Sequence, residues 1–273
     1  MTTVEILLDL YLDLNILLVL AAIGWAALLA GLRRAGRAES HQTLLQGTYM
    51  VFAVVVALPL LLICIGRSVP AMSAISLSDF AVAQFLDGRI EMSPAAFESV
   101  LNLRSALIRD VAAFHGPLGQ GIALLIAAGL AIGGLRLLRD LYRVHRLRRE
   151  GYLLRRSGRV EIIISDTAKV PFSTRGVWTQ YAIIPSTFLL QPGDLRIAVS
   201  HELQHIRQGD VTWEVLLELL RPVFYWNPAF RYLKGEIEHR RELVCDNQVL
   251  ARRRATSRRP ARRQRPPARQ KKE

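Results

Sequence analysis

Two cysteines in 273 residues are too few to staple a fold. One of them, Cys64, stands inside an apolar run, so a disulfide-built secreted domain is excluded. Basic residues are missing from the first 32 positions, which carry Glu5, Asp9 and Asp13 instead. A cleavable signal peptide needs a basic start and a small-residue cleavage site, and neither is found here. Charge of either sign is missing from residues 47–66 and 117–135, while 51% of the chain is hydrophobic and mean hydropathy is +0.22. Such a composition excludes a disordered or acidic-tail protein and leaves room for one or two domains with a sizeable core.

Lys and Arg number 36 against 23 Asp and Glu, a net +13 that taken alone suggests a nucleic-acid binder. The excess is local. Residues 136–159 carry +7 and residues 251–273 carry +10, so everything else sums to −4. Direct nucleic-acid binding is therefore not expected of the folded part.

Three apolar runs, each about 20 residues long, are each long enough to cross a hydrocarbon layer of about 30 Å as a helix. They predict spans at 14–32, interrupted only by Asn15, at 47–66, and at 117–138, the last rich in glycine (Gly119, Gly121, Gly129, Gly133, Gly134). Arg33, Arg34 and Arg37 follow the first run and the +7 block follows the third, whereas the loop at 67–116 holds four Arg against five acids. The positive-inside rule then puts the N-terminus and loop 67–116 outside and everything after the third span in the cytoplasm. The expected location is a bacterial inner membrane, with the lipid bilayer as one partner. Two helices, 78–86 and 93–110, are expected in the external loop. Residues 139–156 read as a basic amphipathic helix along the anionic inner leaflet, the core of a linker spanning 139–159.

Residues 160–250 carry the chemistry. Val160–Ser165 and residues 177–184 are β-rich and read as a strand pair. Asp194 reads as the N-cap of a helix that contains His201-Glu202-Leu203-Gln204-His205. Residues i and i+4 stack on one helical face, so both imidazoles can grip one ion while Glu202 stands ready to take a proton from a metal-bound water. A catalytic zinc needs a third protein ligand. Glu242 is the first candidate because Asp246, one turn on, can accept the outer N–H of a ligating histidine. Glu238 is the next, and His239 reads as a surface residue. Asp210 either bonds a ligand or ends the metal helix. Tyr225, Tyr232 and His239 are the candidates for an oxyanion partner. The apolar stretch 215–226 is too short to span and is expected to pack on the cytoplasmic domain or touch the membrane interface, and Cys245 reads as a small buried helix residue.

These pieces (Ser200 to Asp210, then Trp226-Asn227-Pro228, then Arg241-Glu242-Leu243-Val244-Cys245-Asp246) resemble the BlaR/MecR family of integral-membrane zinc metallopeptidases over roughly residues 14–250. The resemblance implies an α-helical membrane domain of three transmembrane helices (1–138) joined to an α+β cytoplasmic zinc metallopeptidase domain of gluzincin type. It implies one catalytic zinc on His201, His205 and Glu242, with Glu202 as base and Asp246 behind the ligands. It also implies a protein substrate, either a transcriptional repressor or the chain itself, and is compatible with a homodimer. In such enzymes an edge strand beside the metal helix aligns the substrate by β-addition, and either strand of the 160–184 region is a candidate. The family's sensors add a fourth span and an external penicillin-binding domain. No Ser-x-x-Lys occurs in the 273 residues, so β-lactam sensing is not expected of this polypeptide. Residues 251–273 read as a disordered basic arm or a frameshifted, non-native end. Two further functions remain open: a non-catalytic receptor braced by a structural zinc site, and a membrane-tethered nucleic-acid binder acting through the tail.

Overall fold

The computed structural model describes residues 2–36, 40–68 and 77–258. The basic tail beyond 258 therefore lies outside the described residues. The chain divides into two compact units, Met1–Leu137 with Leu220–Ile237, and Leu138–Leu219 with Glu238–Glu273.

The first unit is helical. It contains α1 (Thr3–Arg34), α2 (His41–Ser68), α3 (Leu77–Leu86), α4 (Pro94–Ala112) and the first part of α5 (Gly116–Glu150). Three of these, α1, α2 and α5, are long and apolar enough to cross a membrane. α1 buries Leu14, Leu18, Ala22, Trp25 and Leu29, one stripe at three- and four-residue spacing. Gly47 on α2 lets the Trp25 ring in: a Cβ there would stand 2.6 Å from the ring. In the loop between α2 and α5, Ser93 caps α4 through the Ala96 N–H, with Pro94 at the first helical position. Arg104 of α4 donates from Nη2 to both Asp9 and Asp13 of α1 at 2.6 Å. Leu220–Ile237, expected with the peptidase, groups with these helices instead.

The second unit is built on a four-stranded sheet: β1 (Tyr152–Ser157), β2 (Val160–Ser165), β3 (Phe172–Arg175) and β4 (Gln180–Pro185), in spatial order β1-β2-β4-β3. The expected pair is present as β2 and β4, which run parallel from Val160 opposite Gln180 to Ser165 opposite Pro185. β1 and β3 flank them antiparallel. Both faces of the central pair are covered, which is why Ile162-Ile163-Ile164 and Ala182-Ile183-Ile184 are continuous apolar runs rather than alternating ones. Ile162, Ile164, Ala182 and Ile184 pack against Ala198 and Ile206 of α6 (Pro192–Gln208) and Val211 of α7 (Asp210–Leu220). Ile163, Tyr181 and Ile183 form the other face with Leu147, Ala168 and Phe172. Each fully buried isoleucine contributes about 1.5–3 kcal/mol.

Two expectations are corrected here. The basic helix read over 139–156 ends at Glu150, and Tyr152–Ser157 is β1. Gly151 marks the break, and its neighbours show why that helix belongs to the sheet. Leu147 packs on the sheet face, and Arg148 lies over the Tyr181 ring at 5.3 Å and donates to its hydroxyl at 2.7 Å. Likewise α6 has Gln191 at its N-cap position, without a side-chain cap bond, and Pro192 as its first residue, leaving Asp194 inside the first turn, where its charge faces the positive helix end. The last helix, α8 (Pro228–Arg258), continues past position 250, where the sequence pattern had ended.

Gly151 has no room for a side chain. A Cβ would fall 2.3 Å from Ile163 Cγ2 and 2.9 Å from the Ile164 carbonyl oxygen. Gly151→Ala should cost about 1–3 kcal/mol, read as a lowered Tm of the detergent-solubilised protein. An unchanged Tm would contradict the packing described.

Candidate metal centre

α6 supplies two histidines because its sheet-facing side is already committed. Ala198 and Ile206 are buried on the sheet, and His201 and His205 stack one turn apart on another face. Their Nε2 atoms are 3.1 Å apart. α8 brings Glu242 to the same point, with Oε2 3.4 Å from His201 Nε2 and Oε1 3.6 Å from His205 Nε2. A tetrahedral zinc with bonds near 2.0–2.1 Å would separate its donors by about 3.3 Å. The donor set and its spacing therefore fit a zinc ion.

The histidine nitrogens facing away from that point are also occupied. His205 Nδ1 lies 2.9 Å from Asp210 Oδ2, and both side chains are over nine-tenths buried. Asp210 reaches back because α6 ends at Gly209 in the left-handed conformation (φ 79°), so the chain reverses into α7 with Asp210 as its first residue. The two roles weighed for Asp210 thus reduce to one bond, since the glycine ends the helix. His201 Nδ1 has Asp246 Oδ1 at 3.5 Å and Cys245 Sγ at 3.7 Å. Cys245 is fully buried, and its Sγ also meets the His201 carbonyl at 3.6 Å. With His201 and His205 it forms a second possible metal-holding group, whose ligand atoms all lie within 4.8 Å of one another. Arg241, beside Glu242, is paired with Glu214 of α7, which ties α8 to α7.

Glu202 is 6% exposed and lies beside the Ser173 side chain of β3. Burial pushes its carboxyl up, and the neighbouring Ser173 hydroxyl opposes this only in part. The Cys245 sulfur and then the Glu242 carboxylate favour the charged His201 ring and push it up to about 10. At His205 burial opposes the charge, but Asp210, Cys245 and Glu242 outweigh it and push the ring up to about 11. Only one of two nitrogens 3.1 Å apart can carry a hydrogen, so this upward direction belongs to the pair. Glu242 is correspondingly held below the usual carboxylate range, first by His201 and then by His205.

Of the other residues marked in the sequence, Glu238 lies one turn before Glu242 on α8 and His239 is exposed. The Tyr225 hydroxyl, a candidate oxyanion partner, donates to the Leu125 carbonyl at 2.8 Å instead. The substrate-strand expectation is also corrected. β2 and β4 are each paired on both sides, whereas the edge strand against α6 is β3, which four polar-leaning residues (Phe-Ser-Thr-Arg) had left unread. Ser173 was missed for the same reason.

The description "BlaR1 peptidase M56" names the family whose pattern matches residues 121–262, just over half of the chain. The chain belongs to that family. It is also 33% identical over 78 residues to the regulatory protein BlaR1 of Bacillus licheniformis. That stretch is 28% of this chain and spans only 13% of the relative. The BlaR1 peptidase family membership and the three long apolar helices together make this a membrane-associated peptidase-family protein.

A metal ion entering the triangle must displace the proton held there, so affinity should rise with pH. The increase should be about tenfold per pH unit for each proton displaced. Chelator competition between pH 6 and pH 8 measures the slope, and a flat profile would contradict the protonated state described.

Proposed function

We propose that this chain is a zinc endopeptidase of the inner membrane that cleaves a cytoplasmic transcriptional repressor, itself, or both, in signal transduction. The observation that carries it is the donor triangle of His201, His205 and Glu242 beside a buried carboxylate, Glu202. His201, His205 and Glu242 would hold the ion, which supplies Lewis acidity to a water and to the scissile carbonyl. Asp210 accepts the His205 Nδ1–H, so that ring keeps its Nε2 lone pair for the metal, and Asp246 Oδ1 lies 3.5 Å from His201 Nδ1 on the corresponding side of the other ring. Glu202 takes the proton of the attacking water and passes it to the leaving amide nitrogen, and its burial raises its basicity for that task. Half-exposed Glu242 leaves one side of the centre open to substrate. The free edge of β3 would receive an extended peptide segment by backbone pairing.

Topology supports the cytoplasmic assignment, because the +7 block follows the third apolar helix. Partners are the lipid bilayer and a protein substrate, with nucleic acid contacted through the substrate rather than by this chain. A homodimer fits the reading without being required by it.

One observation favours a second reading, a receptor whose zinc only braces the domain. A structural site is closed by a fourth protein donor, and Cys245 rather than Glu238 belongs to the clustered donors. Glu202→Gln separates the two. The peptidase reading expects zinc retained and cleavage of a repressor or of the chain reduced by roughly 10²–10⁴-fold. Wild-type cleavage in that variant would end the peptidase mechanism. Asp210→Asn should weaken zinc binding by about 10–100-fold, measured by the same chelator titration, and an unchanged affinity would remove Asp210 from the centre.

A further inference from the structure

The motif Trp226-Asn227-Pro228 has no part in the metal chemistry, yet Asn227 is completely buried. Its Nδ2 donates to the Asn15 side-chain oxygen at 2.8 Å and to the Asn15 carbonyl at 3.2 Å. Its Oδ1 accepts the Ala229 and Phe230 N–H groups at 2.9 and 3.4 Å, capping α8. Trp226 Nε1 donates to the Tyr11 hydroxyl at 2.6 Å.

Each of the three long apolar helices lends a wall to this segment. Asn15 belongs to the apolar run of α1, and Phe52 of α2 meets Phe230 at 5.9 Å between ring centroids. On α5, Gly129 and Gly133 of the third run are where the segment touches. A Cβ on Gly129 would stand 1.9 Å from the Tyr225 ring, and one on Gly133 would stand 2.9 Å from Pro222 Cα. Small residues of this kind let backbones approach inside a bilayer. Phe224, Phe230, Leu233 and Ile237 are at most 1% exposed, while Trp226 (46%) and Tyr232 (38%) face outward from the protein.

We infer that Leu220–Ile237 is a re-entrant hairpin of the membrane domain. It enters among the spans, turns at Trp226-Asn227-Pro228 and leaves as the first turns of α8. Non-helical backbone survives at membrane depth only when its polar groups are satisfied within the protein. Several groups of the turn have such partners. Val223 and Phe224 donate to the Leu220 carbonyl, and Asn227 donates to that of Phe224. Pro222 and Pro228 have no N–H to satisfy, and the first free donors of α8 are taken by the Asn227 side chain. The ten residues Pro228 to Ile237 rise about 15 Å, half of a hydrocarbon layer of about 30 Å. The membrane domain is thus three spans and one re-entrant hairpin, whose turn meets α1 at Tyr11 and Asn15. Trp226 and Tyr232 are lipid-facing in this arrangement.

The test reads topology and does not depend on peptidase activity. Trp226→Cys and Trp178→Cys are each made in the full chain, Trp178 lying 78% exposed in the turn between β3 and β4. Spheroplasts and inside-out vesicles are treated with a membrane-impermeant maleimide polymer, and added tags are counted against wild type before and after SDS. Trp178→Cys should be tagged in folded vesicles. Trp226→Cys should resist tagging from both faces until SDS is added, and Tyr232→Cys gives the same reading if that variant does not accumulate. Adding Gly129→Ala, which pushes on Tyr225, should raise tagging at 226 or 232 at least tenfold. Tagging of the hairpin cysteine as fast as that of Trp178→Cys would overturn the inference, and so would no response to Gly129→Ala.

Discussion

Two imidazole nitrogens and a carboxylate held within 3.1–3.6 Å of one another are the constraint around which the second unit is arranged. Lone pairs so close repel unless a cation or a shared proton stands between them, so the scaffold must hold them together. It does so from two sides. Ala198 and Ile206 seat α6 on the buried face of the sheet, and Arg241 fastens α8 to Glu214 of α7. The left-handed Gly209 then turns Asp210 back onto the His205 ring. Such an arrangement is costly to assemble unless something occupies its centre, and the spacing matches what a zinc ion requires.

The first unit meets a different constraint with similar means. Polar groups placed among apolar helices must find partners inside the protein. Asn15 and Asn227 satisfy each other, and Arg104 is shared by Asp9 and Asp13 where α4 meets α1. Close approach then needs small residues, and Gly47, Gly129 and Gly133 stand where Trp25, Tyr225 and Pro222 arrive. Two glycines of the third run, Gly129 and Gly133, are thus contact points.

What could be read beforehand follows from the range of each interaction. His201, Glu202 and His205 sit on one helical turn, so their grouping is local and legible. The long apolar runs are equally local, because hydrophobic length alone decides whether a helix can cross a bilayer. Glu242 is one of several acids downstream, and only the fold decides which of them comes back to the helix. Ser173 and the edge position of β3 were not legible, because a four-residue strand has no period to recognise and an edge is defined only by its neighbours. The basic helix expected over 139–156 stops short for a related reason: Tyr152 and Leu153 fit a helical stripe as well as a strand, and pairing with β2 decides for the strand.

By itself, then, the sequence determined the three apolar helices, the grouping of His201, Glu202 and His205 on one turn, and the existence of the β-rich segments that become β2 and β4, since all of these depend on neighbours a few residues apart. Tertiary structure alone decided that Glu242 completes the triangle, that Asp210 and Cys245 stand behind the histidines, and that β3 is the open edge. It also decided that Leu220–Ile237 groups with the long apolar helices. Each of these is a contact across at least a turn of chain reversal. Such contacts depend on burial and hydrogen-bond satisfaction in three dimensions, and hydropathy along one dimension does not encode them.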